Sequence, residues 1–343
     1  MDSKSSKSAS ANAAIDILKL LLSIMVVAVH TVSVMSYSGW FEYAFLFLPQ
    51  KAAIGCFFAI SSYLYFNGGE GKRISSYCLR ILYLYIIWHV IYLLIYLPFW
   101  ATEGRDVSTT IWWYIWNQII LAQSGHLWYL HASIVGMIVF TVMRKVFRCE
   151  WIVFSLSALL FAVGLLGDTY SVMNVDLPGG AIYQWYFEYF ENMRNGFFFA
   201  PIFFWIGYKL SDQTRVSVDN SVEYGVIAVI IMLFEALVIS YFGLPKDWTF
   251  YCFLPFTALA LVELCIYLSW IPLKNTRVLR HLSTLIYLIH PAVIYIFDAE
   301  LISMPHALSA PLQKFATILF AAGTISMGIY LASGKLNILR RLY

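Results

Sequence analysis

The chain has 343 residues, of which 61% are hydrophobic, 18% aromatic and only 12% charged, about half the charge content of an ordinary soluble domain. With a mean hydropathy of +0.74 and apolar stretches long enough to cross a bilayer recurring along its length, the composition excludes a soluble globule, a disordered chain and a coiled coil. It predicts an all-α polytopic membrane protein whose first partner is the lipid bilayer. A net charge of +3 from 22 basic and 19 acidic residues is too balanced for a nucleic-acid partner.

Residues 1–13 (MDSKSSKSASANA) are polar and read as a disordered cytoplasmic tail, residues 14–335 as one transmembrane domain, and residues 336–343 as a short basic tail. The first apolar run carries Asp16 and Lys19 at its start, is too long for a signal-peptide core and lacks a small-residue cleavage site, so it is expected to remain as a span. About ten spans follow from hydropathy: 15–36, 45–66, 79–100, 127–147, 151–167, 196–210, 222–242, 249–271, 282–298 and 312–332. The span at 196–210 is short. Residues 111–122 (IWWYIWNQIILA) are Trp-rich and too short to cross, which predicts an interfacial or re-entrant helix. Spans must be helical because lipid satisfies no backbone polar group.

Charge placement sets the orientation. With the N-terminus inside, Lys4, Lys7, Lys72, Arg73, Arg80, Arg144, Lys145, Arg148, Lys209, Arg215, Lys274, Arg277, Arg280, Lys335, Arg340 and Arg341 fall on the inner side. Only Arg105, Arg194, Lys246 and Lys314 fall outside. This asymmetry predicts that both termini are cytoplasmic, as in a multi-pass protein of a cell membrane. The five cysteines form no CxxC pair and lie mostly in apolar runs, so neither a disulfide framework nor a metal site is expected. His126 and His131, five residues apart, do not share a helix face as a metal pair would.

Within the spans remain Lys19, Lys51, His30, His89, His290, Glu235 and Glu263. Polar groups at membrane depth are functional candidates by default. Glu235, Glu263 and His89 are nevertheless read first as groups that pin neighbouring helices. Lys19 and His30 are eleven residues apart, about three helical turns, so they share one face about 16 Å apart along the axis. A cation near one surface below a titratable imidazole suits a long ligand with an anionic head and a reactive end. Acyl-coenzyme A has that shape, its phosphates seeking cations and its pantetheine arm ending in a thioester. The imidazole could take the proton of an acceptor hydroxyl, or be acylated itself.

The same residues lie in a pattern that resembles the acyltransferase 3 family of integral membrane acyltransferases, from about residue 14 to residue 332. IDILKLLLSIMVVAVH looks like that family's basic residue, ten intervening residues and histidine. GCFFAISSYLYF is similar to its FF-x-ISGY string through Phe57, Phe58, Ile60, Ser61 and Tyr63. HLWYL at 126–130, RNGFFFAPIFFWIGY at 194–208 and LSTLIYLIHP at 282–291 match three further family segments in order. Departures accompany the matches: Lys19 stands where arginine is usual, which keeps the charge but loses the bidentate fork. Ser62 replaces a glycine, and Tyr77 stands where the first of two arginines three apart is usual, Arg80 being the second.

The resemblance implies an O-acyltransferase, most simply an O-acetyltransferase, that moves an acyl group from cytoplasmic acetyl-CoA to a hydroxyl of an extracytoplasmic or lipid-linked saccharide. It places His30 as the catalytic residue, Lys19, Lys51, Arg73 and Arg80 as coenzyme-binding residues, and Trp128, Arg194 and His290 on the acceptor side. The chain also resembles the membrane domain of the membrane-bound serine racemases of vancomycin resistance, which implies an alternative, amino-acid transport. Pairing with a second copy of the chain is left open by the sequence.

Overall fold

The computed structural model describes residues 3–31, 48–67, 73–122, 125–171, 180–190, 192–212, 218–244, 250–268, 276–298 and 311–343. Among these residues there is no strand, as expected where lipid surrounds the backbone. The helices are α1 (Ser3–Thr31), α2 (Leu48–Phe66), α3 (Ile74–Thr102), α4 (Val107–Tyr114), α5 (Trp128–Phe147), α6 (Glu150–Leu166), α7 (Gly180–Tyr189), α8 (Ala200–Asp212), α9 (Val218–Tyr241), α10 (Leu254–Tyr267), α11 (Arg277–Asp298) and α12 (Pro311–Ser333). A π-helix (Ile115–Ile120) continues α4, and a 3-10 helix (Asn337–Leu342) ends the chain.

Each of the ten hydropathy spans contains or overlaps a helix; residues 32–36 of the first, 45–47 of the second, and 249 and 269–271 of the eighth lie outside the described residues. Among the described residues five helices are long and apolar enough to cross a membrane: Ala13–Thr31, Ile74–Thr102, Trp128–Phe147, Arg277–Asp298 and Gln313–Ser333. The first of these is the apolar part of α1, which itself runs back through residues 3–13. Large apolar side chains face outward from the bundle. On α3, Leu79, Ile86, Val90 and Leu94 are all at least half exposed at helical spacing, a stripe that only lipid tolerates.

Local sequence sets several helix ends. Asp106 caps α4 by accepting from the Thr109 amide at 3.0 Å and from both the Thr109 and Ser108 hydroxyls, and these bonds hold its carboxyl below the usual range. The segment 111–122 forms α4 and the π-turn, and Ala122 closes it in a left-handed conformation at φ 49°. Asn195 accepts from the Phe197 and Phe198 amides at 2.9 and 3.0 Å and leads the chain into α8. Pro291 lies within α11, its ring removing one amide donor without interrupting the helix.

The short helix α8 is the centre of the bundle, packed against α2, α5, α6 and α10. Its 13 residues are largely buried by protein, so it need not match the bilayer thickness. Ser62, the residue in place of the family's glycine, donates its hydroxyl to the Phe204 carbonyl of α8 at 2.6 Å, which satisfies a polar side chain that is fully buried. Gly207 completes that contact, since a Cβ there would meet the Ala59 carbonyl and lie 2.6 Å from the Ser62 Cβ. Gly207→Ala is therefore expected to destabilise the folded protein by about 1–3 kcal/mol through overpacking. Thermal unfolding in detergent or nanodiscs checks this: an unchanged melting temperature would remove the close packing argument.

Helices α1 and α11 form the second strongly packed pair, and α12 covers both. Buried Asp16 accepts from Arg280 at 2.8 and 3.0 Å and from the Thr276 hydroxyl at 3.0 Å. Ser283 donates to the Lys19 carbonyl at 2.7 Å. These bonds fix the register of α11 against α1 and so decide which residues stand opposite Lys19 and His30.

Candidate active site

The bundle encloses a cavity of about 710 Å³ at the end where α1, α3 and α11 begin. Lys19, Arg73 and Arg80 all line it. The rest of its wall is apolar or hydroxylated, including Phe57, Ser61, Tyr129 and Tyr287. Three of the four residues expected to bind the coenzyme therefore converge on one space, from two helices far apart in sequence. The fourth does not. Lys51 is buried in the first turn of α2, which runs antiparallel to α1 and reaches this cavity with Phe57, Ser61, Leu64 and Tyr65. Six residues before Phe57, Lys51 lies about 9 Å further along the axis. Its charge instead acts on His30. Lys72 lies outside the described residues.

Beyond the cavity stands a layer of histidines and tyrosines. The His30 and His290 ring centroids are 5.3 Å apart, and those of His290 and His126 are 5.6 Å apart. Tyr287 separates them from the cavity: it lines the cavity, its ring lies 5.6 Å from His126 and 6.2 Å from His290, and its hydroxyl donates to the His126 carbonyl. Tyr92 braces the same layer from α3, donating to the Leu288 carbonyl at 2.8 Å with its ring 5.0 Å from His126.

The hydrogen bonding of His290 fixes its tautomer. Nδ1 faces the Ile286 carbonyl at 3.1 Å, an acceptor only, so Nδ1 carries the proton. Among the described residues Nε2 has no hydrogen-bond partner and keeps its lone pair, buried. The Nε2 of buried His126 is likewise without a partner among them. His30, in the last turn of α1, is exposed.

Trp128 and Arg194 meet each other, the guanidinium carbon lying 5.1 Å from the indole centroid. Trp128 is buried against Phe58 and Phe199 and lines neither this cavity nor the smaller one on the far side. The Arg194 charge acts on both His30 and Tyr287, which puts it beside the histidine layer rather than at a distant mouth.

Glu235 accepts from the Cys252 and Phe253 amides at 2.6 and 3.1 Å and from Tyr170 at 2.8 Å, so it caps the entrance to α10, as a structural role requires. His126 was missed. Its only signal was its place at the head of HLWYL, where the tryptophan alone was assigned. Among the described residues no group of three His, Cys, Asp or Glu side chains is arranged to hold a metal.

A helical membrane protein with a basic cavity abutting a cluster of histidines is the class these features define. The chain belongs to the acyltransferase 3 family: the model of that family, described as an acyltransferase domain, matches residues 12–329. Among curated proteins it is similar to an amino-acid racemase of Enterococcus faecalis, 29% identical over 297 residues, covering 82% of this chain and 41% of that protein. It is also similar to a serine/alanine racemase of Enterococcus gallinarum, 28% identical over 301 residues, with the same two coverages of 82% and 41%. The chain thus spans about two-fifths of the length of these relatives. No solved structure matches it.

Proposed function

We propose that this membrane acyltransferase transfers an acetyl group from cytoplasmic acetyl-CoA to a hydroxyl of an extracytoplasmic or lipid-linked saccharide, with about ten crossings and both termini inside. The observation that carries this reading is the convergence of Lys19, Arg73 and Arg80 on one cavity of about 710 Å³ that Tyr287, which touches the histidine layer, also lines. Three cations suit the phosphates of the coenzyme, and the apolar and hydroxylated wall suits the pantetheine arm.

In this mechanism the acceptor oxygen attacks the thioester carbonyl carbon. A C–O bond forms as the C–S bond breaks, and the hydroxyl proton passes to His30. The coenzyme leaves as a thiolate, which the same imidazolium protonates. His290, its Nδ1–H held by the Ile286 carbonyl, packs against the His30 ring and positions it for that transfer. The Arg194 charge, held over Trp128, stabilises the oxyanion that develops on the carbonyl.

Amino-acid transport is the second reading, favoured by the serine and alanine specificity in the name of one relative. The test is acetyl transfer from labelled acetyl-CoA in membranes with and without the protein, against the host's own envelope glycans, run beside serine uptake. Label in the glycan fraction supports the transferase. Protein-dependent serine uptake without any acyl donor, and no labelled glycan, would replace it with the transporter.

A further inference from the structure

A second cavity, of about 250 Å³, lies beyond the histidine layer. It is stacked on the first along the same two helices. On α3 the first cavity takes Arg73 to Leu84 and the second takes His89, Tyr92, Tyr96 and Trp100; on α11 the first takes Ser283 to Leu288 and the second takes Tyr295. On α3 the two linings are five positions apart, from Leu84 to His89, about 7.5 Å of axis. His126 lines the second cavity and its ring contacts His290, so this space opens onto the opposite side of the same reacting layer.

The lining has a definite chemistry. Tyr96, Trp100, Trp113 and Tyr114 offer aromatic faces, and Gln118, His89 and His126 offer hydrogen-bonding edges. His89 is oriented by the Tyr114 hydroxyl, 2.9 Å from its Nδ1, while its Nε2 is buried and unpartnered, as is that of His126. No Asp, Glu, Lys or Arg is among the described lining residues. Glu103 and Arg105, whose charges act on Tyr295, are exposed and paired with each other at 2.6 Å, so a zwitterionic amino acid would lose its hydration there without a free counter-charge for either end. A neutral polyhydroxylated ring would stack on the aromatic faces and satisfy the idle imidazole nitrogens.

We propose that this second cavity is the acceptor site and that it takes one neutral sugar ring, presented to His290 and His30 past His126. The volume is below the roughly 300–1,000 Å³ of a drug-sized site, which fits a single ring and leaves any further chain outside. The proposal deepens the transferase reading and rests on it. It also moves the acceptor from the Trp128 side, where sequence placed it, to the His89 side.

The test is binding of methyl glycosides of the common hexoses and N-acetylhexosamines to the protein in nanodiscs, read by quenching of its tryptophan fluorescence, with serine in parallel. At least one glycoside is expected to quench and serine is not. His89→Leu is expected to weaken that binding about tenfold, the size of one lost hydrogen bond to a buried group, and Trp113→Ala, at an exposed rim position, to weaken it similarly if His89→Leu does not fold. Acetyl-CoA binding should be unchanged in both variants. Glycoside binding indifferent to both substitutions, quenching by serine alone, or no quenching by any glycoside would each overturn the acceptor site. Loss of acetyl-CoA binding and thioester consumption in the unsubstituted protein would instead overturn the transferase reading, so the two failures are told apart.

Discussion

Replacing His30 with alanine is expected to lower acetyl transfer about 10³-fold while leaving acetyl-CoA binding within about twofold of the unsubstituted protein. The magnitude is that of removing a general base. The selectivity follows from geometry: His30 is not part of the basic cavity's wall, and it sits against His290 at 5.3 Å on the other side of Tyr287. Single-turnover transfer and equilibrium binding measured on the same preparation separate the two effects. A His30→Ala protein that kept a tenth of its transfer rate would show that another group takes the proton, and His290, with its free Nε2, would be the first to examine.

The complementary change removes the donor's anchor. Arg73 and Arg80 are exposed where they line the cavity, so each contact with a phosphate is worth less than the roughly 1.5–3 kcal/mol of a buried charged hydrogen bond. The double variant Arg73→Ala, Arg80→Ala is expected to raise the KM for acetyl-CoA about 30-fold with little change in kcat. The KM of the unsubstituted protein should rise with salt, and that of the double variant should rise less. A fall in kcat at unchanged KM would place these arginines outside donor binding.

The parts of this arrangement that were legible in sequence are those that chemistry makes expensive. Lys19 and His30 stood out because charge and titratable groups are rare in spans, and their shared face follows from helical pitch alone. Arg80 and Arg73 were legible as a basic cluster. That they face Lys19 rests on the packing of α11 against α1 through Asp16 and Arg280 and of α3 against α11, which spacing does not reveal. That Lys51 does not line the cavity was not legible for the same reason: a lysine in an apolar run announces its cost but not which end of the bundle its helix starts from. His126 was illegible because it precedes its helix, where no periodicity assigns a face. The hydropathy spans located the helices well, since apolar runs are continuous. The central position of α8 was not readable, because a helix buried by protein and one buried by lipid share the same composition.

The most direct test of the account is a structure of the protein with a non-hydrolysable thioether analogue of acetyl-CoA. The phosphates are expected against Lys19, Arg73 and Arg80 and the acetyl group beside Tyr287, within reach of His30. Density for the analogue anywhere outside the cavity between α1, α3 and α11, or an acetyl end pointing away from the histidine layer, would contradict it.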